Sequence, residues 1–176
     1  MTVPVDQPGL HERFTALVRQ HQAMVYSIAR HVLTDPEDAA EVAQDVFCKL
    51  YQHLDHLESE AHILFWLRQV ASRHAVDRFR RRKLRPRFGL EEVPEPATHW
   101  KPADAWQSDR LRRALSRLSE SHRIVVVLRY QEDLDPREIA EILGESVNTV
   151  KSRLHRALRA LQASPAWAAP AGEATS

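Results

Sequence analysis

Glycine is scarce in this chain, with four in 176 residues. Tight hairpins and left-handed turns draw on glycine, so a sheet-based architecture has little to build with. Cysteine is scarcer still: Cys48 stands alone, which excludes an internal disulfide and a thiolate metal cluster. No apolar run approaches the roughly 20 residues that cross a bilayer. The opening MTVPVDQPGL lacks the charged-then-apolar layout of a secretory signal, so the expectation is a cytoplasmic chain with no membrane insertion. No phosphate-cradling glycine loop, nucleophile elbow or pair of catalytic carboxylates is found, and no enzyme is expected. His53 and His56 lie near Cys48 without a carboxylate or thiol set at ligand spacing, so neither a metal nor a cofactor is expected.

What the chain does have is 43% hydrophobic residues, laid out in long segments of three-to-four-residue spacing. An all-α protein follows. Phe14, Leu17, Val18, Met24, Val25, Ile28 and Val32 make one stripe over a helix from about His11 to Leu33. The next helix is announced by TDPED, where Asp35 can cap, Pro36 suits the first turn, and Glu37 and Asp38 complement the helix dipole. Ala39, Val42, Ala43, Val46, Phe47, Leu50, Tyr51 and Leu54 continue it. A third helix runs from near Ser59 through Ile63, Trp66, Leu67, Val70 and Ala71 into a basic run ending at Pro86, with Trp66 read as a core anchor.

Periodicity stops after Leu84. Residues 85–105 hold Pro86, Pro94, Pro96 and Pro102 and read as a flexible linker; at up to ~3.3 Å per residue, about 20 residues can bridge several tens of ångströms. Leu111, Leu115 and Leu118 open a second helical set. RIVVVLRY has the composition of a strand, but its helical neighbours and the lack of a partner strand favour a buried helix. Residues 164–176 read as a disordered tail. The chain thus divides into two small helical domains, 10–84 and 106–163, on either side of the linker.

The net charge of +1 hides an asymmetry. From Asp35 to Glu60 eight acids face only Lys49, and from Arg73 to Arg87 eight bases face only Asp77. An acidic face and a basic face are expected.

The segment LDPREIAEILGESVNTVKSRLHRAL has the steric grammar of a helix-turn-helix. Asp135 can cap a helix that starts at Pro136, and Glu138 can close a capping box. Small Ala140 permits close approach of the next helix, Gly144 can end the first one, and Ser146 can cap the second. Between Ser146 and Ala163 there is no acid, whereas a solvated face normally mixes signs. Asn148, Thr149, Lys151, Ser152, Arg153, His155 and Arg156 are therefore candidates for DNA contact, with Arg153 and Arg156 suited to either bases or phosphates.

Two segments together carry a family resemblance. DPEDAAEVAQDVFCKLYQHL followed by FWLRQVASRHAVDRFRRRK resembles region two of the extracytoplasmic-function (ECF) sigma factors of bacterial RNA polymerase. LSRLSESHRIVVVLRYQEDLDPREIAEILGESVNTVKSRLHRALRAL resembles their region four. The resemblance spans Phe14 to Leu161, in the family order, with a linker between and no region three.

It implies core RNA polymerase, through its β′ and β subunits, and promoter DNA as partners, together with the anti-sigma factor that many members have. Ala43, Gln44, Asp45, Phe47 and Leu50 match the polymerase-docking helix. Residues 54–63, including Leu57, Glu58, Ser59 and Glu60, match the loop that captures a flipped minus-10 base. Many relatives carry arginine and glycine where this chain has Glu58 and Ser59. Arg73, where asparagine is common, joins Asp77, Arg80 and Arg81 on the minus-10 helix, and region four reads the minus-35 element. The rival readings are a stand-alone helix-turn-helix regulator and an interaction protein whose acidic first half binds a partner while DNA contact is incidental.

Overall fold

The computed structural model describes residues 8–33, 35–84 and 112–163; the linker at 85–105 and the tail at 164–176 lie outside the described residues. The main helices are α1 (Pro8–Val32), α2 (Pro36–His53), α3 (Glu60–Leu84), α4 (Glu120–Tyr130), α5 (Pro136–Leu143) and α6 (Val147–Gln162). A 3-10 turn at Leu54–His56 and a helical stretch at 112–116 complete them, and no strand occurs among the described residues.

α1 starts three residues before the expected His11, because proline is tolerated in a first turn whose N–H groups have no intrahelical acceptor. α2 starts as its sequence demands: the Asp35 side chain accepts the Glu37 N–H at 2.9 Å, with Pro36 in the first turn. α1, α2 and α3 pack mutually around Val25, Ile28, Val32, Val42, Val46, Leu50, Ile63, Leu67 and Ala71, all buried. Trp66 is half-buried against this core, its ring 5.8 Å from that of His53.

RIVVVLRY forms the body of α4. Ile124, Val125, Val126, Val127 and Leu128 are all buried, because α1, α3, α5 and α6 each pack against this helix. A helix enclosed on every side reads as a continuous apolar run, which explains the strand-like composition without any strand pairing.

Two halves of the chain, residues 8–84 and 112–163, meet along α4 and α5, which pack on α1 and α3. Arg123 lies at that seam, only 2% exposed. Its guanidinium donates to the carbonyl oxygens of Leu115 (2.8 Å), Ser116 (3.0 Å) and Leu118 (3.0 Å) within its own half, and to that of Val32 at the end of α1. The Phe79 ring of α3 lies 5.1 Å away. Helix-terminal carbonyls carry partial negative charge and lack intrahelical partners, so they suit a cation. Burial nonetheless pulls the Arg123 pKa below its ordinary value, with Glu120 opposing.

The α5–α6 unit has the expected helix-turn-helix caps. Asp135 accepts the N–H groups of Arg137 (2.7 Å) and Glu138 (3.0 Å), and Glu138 accepts the Asp135 N–H at 2.7 Å. Gly144 adopts φ 67°, ψ 38°, which lets the Glu145 N–H reach the Ala140 carbonyl at 2.9 Å. A Cβ at Gly144 would meet nothing nearer than Arg73 Nη2 at 3.7 Å. Gly144→Ala therefore tests backbone strain rather than collision: chemical denaturation should show a loss of ~1–2 kcal/mol, and an unchanged midpoint would contradict the left-handed cap.

Candidate nucleic-acid interface

α6 sorts its side chains into two sets. Val150, Leu154, Ala157 and Leu161 are buried against the rest of the domain, while Asn148, Lys151, Ser152, His155, Arg156 and Arg159 are exposed. Five of the seven residues expected to meet DNA therefore share one open face. The other two do not. Thr149 is half-buried, with its hydroxyl 2.8 Å from Ser146 Oγ and its N–H donating to that oxygen at 3.1 Å, so it serves the helix cap. Arg153 turns back to Glu145, donating at 2.7 Å. The acid that balances Arg153 precedes the cap, outside the acid-free window from Ser146 to Ala163.

The segment between α2 and α3 is held from below. Leu57 is buried and its carbonyl accepts from Arg13 of α1 at 2.8 Å. The Leu57 side chain anchors the loop and is not open to a ligand. Glu58, Ser59 and Glu60 are exposed, and Ser59 Oγ accepts the His62 N–H at 3.2 Å, capping α3. What the loop presents to solvent is thus acidic and hydroxylic.

Arg73, Asp77, Arg80 and Arg81 are exposed on α3. They are not a uniform basic face with their neighbours. Arg78 donates to Asp38 at 2.8 and 3.0 Å and also pairs with Glu41, and Arg82 pairs with Asp35 at 2.7 Å and with Asp38. These contacts tie the C-terminal part of α3 to the start of α2. Burial works to raise the Asp35 pKa, but hydrogen bonds from Arg82 and the Glu37 N–H hold it below the usual carboxylate range. The pairing therefore contributes stability at neutral pH and is lost as the pH falls through that lowered value.

This network corrects the expectation of opposed acidic and basic faces, since much of the charge is spent internally. No spacing rule reveals it, because the partners are 37 to 47 residues apart. Nearby, Lys49 Nζ donates to His74 Nε2 at 2.8 Å. Burial, then the Lys49 charge, lowers the His74 pKa, with Asp45 and Asp77 opposing.

On α2, Gln44 and Asp45 are exposed, Ala43 and Phe47 half-buried and Leu50 fully buried. Leu50 belongs to the core, and truncating such a leucine typically costs ~2–5 kcal/mol, so its mutation reports on folding. Tyr51, not among the expected docking residues, is 38% exposed and meets Phe14 edge-on at 5.1 Å, extending the open edge of α2. A signal for it was present in the α2 stripe, where Tyr51 was read as an inward residue.

Two independent matches coincide with the two halves. Residues 17–85 match the family described as Sigma-70 region 2, and residues 108–161 that described as Sigma-70, region 4. The chain is 34% identical over 154 residues to the RNA polymerase sigma-E factor of Streptomyces coelicolor, across 85% of this chain and 84% of that protein. The chain belongs to the ECF sigma factors. It is also 29% identical over 169 residues to the ECF RNA polymerase sigma factor SigW of Bacillus subtilis, across 88% and 89% of the two chains. The sigma factor RpoE of Bartonella quintana, solved with the anti-sigma factor NepR, shares the fold at a TM-score of 0.68 and 21% identity, over 86% of this chain and 95% of that one.

As a sigma factor the protein directs RNA polymerase to promoters, with its first half as region 2 and its second as region 4. Among the described residues no helix is long and apolar enough to cross a membrane.

The ion network predicts a division of labour in region 2. Arg78→Ala should lower thermal stability while leaving the single-strand affinity of the folded protein nearly unchanged; Arg81→Ala should do the reverse. Equal loss of DNA affinity in both, at wild-type stability, would add Arg78 to the residues that meet DNA.

Proposed function

We propose that this sigma factor grips its promoter at two points and polymerase at a third, with chemistry left to the polymerase. The open edge of α2, with Gln44 and Asp45 outward and Ala43 and Phe47 beside them, docks on core polymerase; an acidic, partly apolar helix edge complements a basic surface. Glu58, Ser59 and Glu60, with Arg73, Asp77, Arg80 and Arg81, meet the minus-10 element, where an unstacked base needs a pocket and the strand needs cations. Asn148, Lys151, Ser152, His155 and Arg156 enter the major groove at the minus-35 element.

The observation that carries this reading is the acid-free open face of α6 in one chain with the outward Gln44–Asp45 edge. A stand-alone regulator has use for the first feature and none for the second. The protein acts in the cytoplasm, where its polymerase and DNA are. An anti-sigma factor is a further partner in this reading, supported by the fold shared with RpoE of Bartonella quintana, which was solved in such a complex.

Reconstituted transcription tests the reading: core polymerase with this protein should initiate at discrete genomic promoters, and the absence of any start would sink it. Asp45→Arg should abolish co-purification with core polymerase while the thermal transition stays in place; unchanged co-purification removes α2 from the interface. Lys151→Ala or Arg156→Ala should weaken minus-35 duplex binding by ~1–3 kcal/mol where the side chain reads a base. An equal loss on unrelated duplexes would reassign that residue to phosphate.

A further inference from the structure

The loop between α2 and α3 has two fixed ends and one open residue between them. At the first end Leu57 is buried, its N–H donates to the Leu54 carbonyl at 3.3 Å, and its own carbonyl accepts from Arg13 Nη2 at 2.8 Å. At the second end Ser59 caps α3, its Oγ accepting the His62 N–H at 3.2 Å and its carbonyl the Ile63 N–H at 2.9 Å. Glu58 stands between them, exposed. Among the described residues its N–H finds no backbone acceptor.

Arg13 reaches the loop from 44 residues away in sequence. Its place is set by its neighbours on α1. Phe14 meets Tyr51 edge-on at 5.1 Å, three residues before Leu54, and Leu17, one turn further along α1, lies in the core. The same stripe continues to His21, whose pKa is lowered by burial, raised by the Glu60 charge and lowered by that of Arg68. α1 thus runs alongside the loop from Leu57 to the start of α3.

A peptide unit is planar, and in its trans form the C=O and N–H point in opposite directions. No cis peptide bond occurs among the described residues. Drawing the Leu57 oxygen toward Arg13 therefore turns the Glu58 N–H away from α1, on the residue that the loop leaves exposed. Ring nitrogens and carbonyl oxygens of bases accept hydrogen bonds, and a flipped base is read through such atoms. A donor whose direction is fixed before binding spares the cost of ordering it afterwards.

We propose that Arg13 is a positioning residue for base capture: its grip on the Leu57 carbonyl aims the Glu58 N–H at an acceptor atom of the unstacked minus-10 base. The proposal rests on the assignment of this loop to the minus-10 element. Arg13 acts through the Leu57–Glu58 peptide and not on the nucleotide itself, so its loss changes which base is chosen more than whether DNA is bound.

The test uses holoenzyme reconstituted from core polymerase and the full chain, transcribing a promoter library randomised across the minus-10 and minus-35 elements. Base preference at each position is read from the transcripts. Arg13→Met keeps the apolar stem and removes the donors; it should flatten the preference at one minus-10 position roughly fivefold, as expected for one ordinary hydrogen bond, and leave the minus-35 preferences unchanged. Arg13→Lys keeps a donor and should restore most of that preference. Arg19→Met removes another exposed α1 cation and should alter none. Glu58→Pro removes the N–H itself and should flatten the same position as Arg13→Met, since Leu57 at φ −103°, ψ 101° already has the extended backbone that precedes a proline.

An Arg13→Met holoenzyme with every preference intact, or with a uniform loss of transcription across the library, overturns the proposal. So does a lysine that restores nothing. If Glu58→Pro still flattens one position in those cases, the loop keeps its minus-10 assignment and only the role of Arg13 is lost. If neither Arg13→Met nor Glu58→Pro changes any preference, the minus-10 assignment of the loop falls with it.

Discussion

One buried guanidinium sets how the two halves of this sigma factor meet. Arg123 is removed from water, and its hydrogen bonds go to carbonyl oxygens from its own half and from α1, with Phe79 of α3 beside it. Burying an unpaired charge costs several kcal/mol, and oriented carbonyls offset that only while all of them stay in place. The helix ends that supply them are consequently fixed relative to α4. Because α5 and α6 pack on α4, the placement of the recognition helix against region 2 follows from that one side chain.

Charge elsewhere is divided between structure and function by the same logic of neighbours. Arg78 and Arg82 are drawn to Asp35, Asp38 and Glu41 and hold α3 on α2. Arg153 is drawn to Glu145 and steadies the turn of the helix-turn-helix. The cations left outward, Lys151 and Arg156 on α6 and Arg81 on α3, are the ones free to meet phosphates or bases. A near-neutral protein can thus bind a polyanion, since its acids are consumed pairing cations that are needed for folding.

Most of the architecture was legible in the sequence because helices report themselves locally. The caps at Asp35, Asp135 and Ser146 and the stop at Gly144 depend on residues within a few positions of one another, and the helical stripes of α1 and α2 name their core faces directly. The open face of α6 was legible for the same reason. What escaped was long-range. Arg123 reads as one more surface cation until α1 is placed against it, and Arg153 reads as a DNA contact until Glu145 is seen to be in reach. The status of Leu50 and Leu57 depends on which side of an amphipathic segment faces the core, and both side chains are buried there. The run RIVVVLRY was ambiguous because burial on all sides erases the periodicity that separates helix from strand.

The central claim is that Arg123 docks region 4 on region 2 in the free protein. The native Cys48 on α2 is exposed and is the only cysteine, and Gln162 at the end of α6 is exposed, so Gln162→Cys provides a second attachment point for a pair of spin labels. The distance between them, measured by electron double resonance, should be narrowly distributed in the free chain and should broaden in an Arg123→Ala variant. A broad distribution in the unaltered free chain, or an Arg123→Ala variant that keeps the narrow one, would contradict the account.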